Sequence, residues 1–221
     1  MIKIIQLQKR LPGLSVADFQ TRWLAHGPAR AGVPGVLRHV QSHALPQGYR
    51  KGELLFDGIA EYWFADEADW RTIRAAPAWR EAEKEAAGFT APARGVTMAV
   101  DVHVIKDGAI PANAVKNIEF VNRRSGMELG AFRRYWREVH GPLAATIPVL
   151  RRYEQNHLTP DSYAKAPTPP YDGLAITWFA STSDMKAGTL TPEYAATRAD
   201  EPNFLPDGHL PIIITREYAF P

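Results

Sequence analysis

The chain has 221 residues, 45% hydrophobic and 23% charged, the balance of a folded globular protein and not of a disordered one. A net charge of +2 with no basic run longer than two residues excludes the concentrated patch that nucleic-acid or membrane-surface binding needs. The absence of cysteine excludes disulfides, thiolate metal sites and Cys nucleophiles, and no apolar stretch approaches the roughly 20 residues of a membrane span. The N-terminus lacks an apolar leader core, so a cytoplasmic protein acting on a small molecule is the expected class.

In chain order the first element is an Ile-rich strand, Lys3–Arg10. A helix follows Leu14, opened by the capping pattern Ser15-x-x-Asp18 and expected to stop at Gly27-Pro28. Val36–Ala44 reads as strand two, the run led by Asp57-Gly58 as strand three, about Ala68–Ala87 as a second helix, and Val96–Ile105 as strand four. The series then repeats. Phe19, Trp23 and His26-Gly27-Pro28 recur as Phe132, Trp136 and His140-Gly141-Pro142, and His43 and His157 each lie 17 residues beyond the first His of their copy. Asp57-Gly58 returns as Asp172-Gly173; Asp69, Pro77 and Phe89 return as Asp184, Pro192 and Phe204. The second series takes Lys116–Arg123, a helix from about Ser125, Leu150–Leu158, the Asp172-Gly173 strand, a weaker helix Asp184–Ala199, and Leu210–Phe220.

The division is therefore 1–105, a joint at 106–114, and 115–221. Each half has the β-α-β-β-α-β order of a ferredoxin-like unit. Such a unit leaves one apolar sheet face open, so two in one chain are expected to bury those faces in an α+β, barrel-like arrangement with the helices outside. One misfit stands out: Trp23 and His26 are one residue closer than Trp136 and His140. On an unbroken helix this would rotate His26 by about 100° relative to Trp23.

Strand two carries the polar residues. His39, Gln41 and His43 share one face in copy one; Arg151, Tyr153, Gln155 and His157 share one in copy two. With the helix-terminal His26 and His140 they suggest acid/base chemistry near neutral pH, or else a solvated edge strand. His39 and His43 stand about 13 Å apart on a strand, too far to share an ion, so no metal is expected. Glu61, Glu119 and the pair Asp101–His103 are carboxylates or dyads within strands, suited to proton transfer or to a salt bridge. Trp23, Trp63, Trp136 and Trp178 read as packing residues. Neither a G-x-G-x-x-G loop nor a G-x-S-x-G elbow occurs, which removes support for nucleotide cofactors and serine hydrolysis. The Pro-rich loop Leu158–Tyr171, with Tyr163 and Tyr171, has the length of a lid or binding loop.

The pattern Phe-x-x-x-Trp-x-x-x-His-Gly-Pro followed by Pro-x-x-Arg-Arg-Tyr-x-Gln-Asn-His, complete from Phe132 to His157, resembles the EthD family of the dimeric α/β-barrel superfamily. Copy one departs by the shorter helix and by His39 and Ser42 in place of Tyr and Asn. The resemblance implies two ferredoxin-like units forming one barrel within the chain, with a further homodimer open to it. It also implies cofactor-free acid/base chemistry in a pocket between sheet and helices. Carried onto this sequence, it points to His140, His157, Tyr153, His26 and His43 as catalytic, with copy one's pocket the more degenerate. Asn156, Gln155, Tyr171 and Trp178 are candidates for substrate binding, and Arg151 for a carboxylate anchor that favours decarboxylation or elimination. The expected activity is a lyase or isomerase of aromatic compound catabolism, acting on a phenolic or polyketide-like molecule. The alternatives are a cofactor-free monooxygenase on a quinol or anthrone, and a non-enzymatic carrier of aromatic ligands.

Overall fold

The computed structural model describes residues 1–164, 167 and 169–220. Lys165, Ala166 and Thr168 of the Pro-rich loop, and Pro221, lie outside the described residues. The elements are β1 (Ile2–Gln8), α1 (Val16–Ala31), β2 (Arg38–Ala44), β3 (Gly58–Phe64), α2 (Glu67–Ala75), α3 (Pro77–Ala86) and β4 (Val96–Lys106). The second series is β5 (Val115–Val121), α4 (Leu129–Tyr135), α5 (Gly141–Ala145), β6 (Arg152–Leu158), α6 (Pro160–Tyr163), β7 (Gly173–Phe179), α7 (Thr182–Gly188), α8 (Pro192–Asp200) and β8 (Ile212–Phe220). The strands hydrogen-bond in the order β1-β3-β2-β8-β5-β7-β6-β4, a closed barrel. No described helix is long and apolar enough to cross a membrane.

The chain forms two compact units, residues 1–100 with 215–221, and residues 101–214. In the first, Val96–Val100 pairs antiparallel with β1, while Thr215–Phe220 pairs with β2. In the second, β7 lies between β5 and β6, both antiparallel to it. The last strand of each repeat thus ends in the unit built around the other.

Local chemistry sets the helices. Ser15 Oγ accepts the Asp18 amide at 3.0 Å, capping α1 where the sequence places its start. The buried residues Phe19, Trp23, His26, Gly27 and Arg30 form one helical stripe. Gly-Pro does not end this helix: α1 runs through Pro28 to Ala31. Proline forfeits its bond to Leu24, which lies on the exposed side, so water can serve that carbonyl. Glycine is required before it, because a Cβ on Gly27 would stand 2.1 Å from the Phe220 ring, and one on Gly141 2.9 Å from Gln155 Nε2. The expected second helix is two helices, α2 and α3. Ala76, ahead of Pro77, is extended (ψ 147°), the conformation a following proline imposes.

The one-residue misfit is absorbed locally. Trp136–His140 forms a π turn between α4 and α5, closed by the Gly141 amide on the Trp136 carbonyl. A π turn takes up one extra residue. The expected rotation therefore does not occur: Trp23 and His26 are buried in α1 as Trp136 and His140 are in the π turn.

Candidate functional site

The polar stripe of strand two is no solvated edge: His39, Gln41, His43, Tyr153, Gln155 and His157 are all buried. In copy two the Gln155 amide donates to the Trp136 carbonyl (2.7 Å) and the Tyr153 hydroxyl (3.1 Å), and its oxygen accepts from His157 Nε2 (3.0 Å). The His157 ring stacks on Trp136 at 4.3 Å. Copy one repeats this clasp: Gln41 donates to the Trp23 carbonyl at 2.8 Å and accepts from His43 Nε2 at 2.9 Å, and His43 stacks on Trp23 at 4.3 Å. Burial pushes His43 down to about 4 and His157 lower still, so both rings are neutral at neutral pH. In both copies these residues fasten strand two to the helix above it.

The second unit holds a cavity of about 170 Å³ over the β5, β6 and β7 face and beneath α5, α7 and α8. Ile147, Leu150, Phe179, Met185 and Ile212 supply apolar wall. His140 lines it, and His140 Nδ1 donates to Asp200 Oδ2 at 2.9 Å. That bond fixes the neutral tautomer with its lone pair on Nε2. Burial lowers the His140 pKa, and the carboxylate opposes the shift without reversing it. Asp200 is held in turn by the Tyr135 hydroxyl at 2.6 Å and the Asn203 amide at 3.0 Å.

Tyr153 lines the same cavity. Its oxygen accepts from Trp136 Nε1 and Gln155 Nε2, both at 3.1 Å, so its own proton is free for another acceptor. Burial raises its pKa. Glu119 and Glu201 also face the cavity. Burial raises Glu119, whose carboxyl accepts from Asn117 at 3.1 Å, and raises Glu201 to about 7 despite its ion pair with Arg198.

The structure thus gathers His140, Tyr153 and Glu119 and leaves the other candidates elsewhere. His157 lies against His103, ring centroids 4.7 Å apart. Asn156 faces the opposite side of β6 and donates to the Leu174 carbonyl at 3.4 Å. Arg151 is exposed outside the cavity; the guanidinium that lines it is Arg198. Trp178 packs under Lys116 (4.9 Å), and Tyr171 lies 5.1 Å from Phe120. Tyr163 donates to Asp172 at 2.7 Å. Glu61 forms a buried salt bridge with Lys3 at 2.5 Å, and Asp101 pairs with Arg133 at 2.7 Å. Among the described residues no group of three or more His, Asp or Glu could hold a metal ion.

Asp200, Glu201 and Arg198 were not singled out from the sequence. A signal existed for the first: Asp200 and Glu85 each stand four residues before the matched Phe204 and Phe89. Glu85 approaches His26 Nε2 to 3.6 Å, so each copy sets an acid against its helix-borne His.

The family model for the EthD domain matches residues 11–93 and 124–207. A search of curated proteins finds no relative. Among solved structures, an anthrone oxidase-like protein superposes with TM-score 0.66 at 9% identity, over 99% of this chain and 92% of its own. A monooxygenase candidate from Lactobacillus acidophilus NCFM gives 0.62 at 11%, over 99% and 94%. A mutant chlorite dismutase from Candidatus Nitrospira defluvii gives 0.51 at 8%, over 97% and 91%. At these identities the likeness is one of fold. The chain belongs to the EthD family, with two copies of the domain in tandem.

Proposed function

We propose that the second unit is a cofactor-independent lyase or isomerase acting on a phenolic or other enolisable aromatic compound. The observation that carries this is the His140–Asp200 pair opening on a largely apolar cavity beside the free proton of Tyr153. Asp200 orients the ring and stabilises the imidazolium that forms when His140 Nε2 takes a proton from a hydroxyl or carbon acid. Tyr153 donates to the oxygen on which negative charge develops. The same deprotonation would start cofactor-free oxygenation of a quinol or anthrone, where oxygen dissolves readily between apolar walls. Two structural neighbours, a monooxygenase candidate and an anthrone oxidase-like protein, lend that reading support.

Incubation with a panel of phenols, lactones and aromatic ketones, with and without oxygen, read by mass spectrometry, tests the proposal. Oxygen-independent turnover that His140→Ala lowers by about 10²–10⁴-fold is expected, while His26→Ala leaves it within about twofold, as a group outside the chemistry should. Turnover only in oxygen transfers the reading to the oxygenase. Full activity of His140→Ala, or binding with no turnover, overturns acid/base catalysis at this site.

A further inference from the structure

The charges around the cavity bear on which molecules it admits. Arg198 is the cationic side chain lining it, and Arg198 is engaged by Glu201 and by His209 Nδ1 at 3.0 Å. Against this one satisfied cation stand the carboxylates of Glu201 and, behind His140, of Asp200. A ligand carboxylate would enter low-dielectric space already richer in acid than in base, where like charges repel far more than in water. A ligand carbonyl or hydroxyl instead meets donors: the Tyr153 hydroxyl, and Glu119 in the protonated form that burial favours.

Size narrows the class further. A cavity of about 170 Å³ is close to the roughly 150 Å³ that accommodates a benzene ring.

Resting on the acid/base reading of this cavity, we propose that its substrate class is an uncharged single-ring phenol carrying a carbonyl-type acceptor, and that the carboxylate analogue is rejected by the carboxylates of Glu201 and, behind His140, Asp200. Elimination, isomerisation or quinol oxidation then fit the site, whereas decarboxylation of a bound benzoate does not.

The test is calorimetric titration of the whole protein with 4-hydroxybenzamide and 4-hydroxybenzoate, which share shape and differ in charge. At about pH 7.5 the amide should bind at least about tenfold more tightly, a difference of about 1.4 kcal/mol. The ratio should shrink towards pH 6 as Glu201 gains its proton. The groups around Glu201 are Arg198, Glu119, Asp200, His140, Tyr153, Tyr194 and, through Arg198, His209. Glu201→Gln, which keeps shape and removes the charge, should bring the ratio below about threefold. Benzoate binding as tight as amide binding, binding of neither at about 10 mM, or a ratio unmoved by Glu201→Gln overturns the proposal. Because titration reads binding alone, selectivity without turnover sinks the catalytic reading and spares this one. Turnover without selectivity does the reverse.

Discussion

The two units start from one plan and treat the space between sheet and helices in opposite ways. In the first, Tyr62, Phe64, Trp70 and Trp79 interlock there, with Trp79 fully buried and 5.0–5.1 Å from Trp70 and Tyr62. The Arg30 guanidinium stacks on Trp79 at 4.2 Å. In the second, the matching positions are Thr177 for Tyr62, Met185 for Trp70, Tyr194 for Trp79 and Ala144 for Arg30, and all four line the cavity. Four substitutions of large for small thus separate a packed core from a cavity on the same scaffold. The His–acid pair is kept in both, but Glu85 is mostly exposed and sits farther from its His than the partly buried Asp200 does. The cavity described above opens on His140, which is why the second unit carries the functional proposal.

The contrast can be broken most severely by emptying the filled side. Trp79→Ala should cost about 3–5 kcal/mol, the range for a buried aromatic, whereas Tyr194→Ala, half-buried at the cavity wall, should stay within about 1 kcal/mol. Urea denaturation of the two variants checks this; equal losses would mean that the second unit is packed as tightly as the first. Next in size is the reverse change. Met185→Trp places the first unit's indole in the cavity and should weaken binding of 4-hydroxybenzamide at least tenfold, about 1.4 kcal/mol, with little change in thermal midpoint. Unaltered affinity would place the ligand elsewhere.

The smallest effect sharpens the comparison through pH. Burial lowers His39 and His43 to about 4, so the unfolded chain takes up their protons first. Their stabilising contribution is complete above about 6.5 and is lost as pH falls towards 4. Glu201 has the opposite sign. Its pKa is raised to about 7, so its contribution is present below the ordinary carboxylate range and is lost as pH rises through 7. Glu201→Gln should therefore flatten the decline of the thermal midpoint between pH 5 and 8 and leave the acid limb, set by the histidines, in place. An identical pH profile for the variant would show that Glu201 ionises as it does in water.

Much of the architecture was legible in the residues. Alternating apolar runs, Ser15 at its cap, and the Asp-Gly pairs marked strands and one helix start, because those signals act between near neighbours. The Asp-Gly repeat is also held by tertiary contacts: Asp57 and Asp172 accept the amides of Arg10 and Arg123, 47 and 49 residues away, at 2.8 Å, and the hydroxyls of Tyr49 and Tyr163 at 2.7 Å. Gly-Pro was misleading, because a proline inside a helix depends on whether the carbonyl it abandons is exposed. Of the candidate residues, His140, Tyr153 and Glu119 reached the cavity, while His157, on the same face as Tyr153, became part of the clasp to Trp136.

What the sequence determined by itself was the duplication, the order of elements and the family pattern, since each is a property of spacing along the chain. The cavity was decided only by tertiary structure. It depends on whether side chains 60 residues apart, such as His140 and Asp200, meet, and on whether Ala144, Met185 and Tyr194 together leave a volume that Arg30, Trp70 and Trp79 fill. Packed volume is a sum over neighbours in space, and no residue carries it alone.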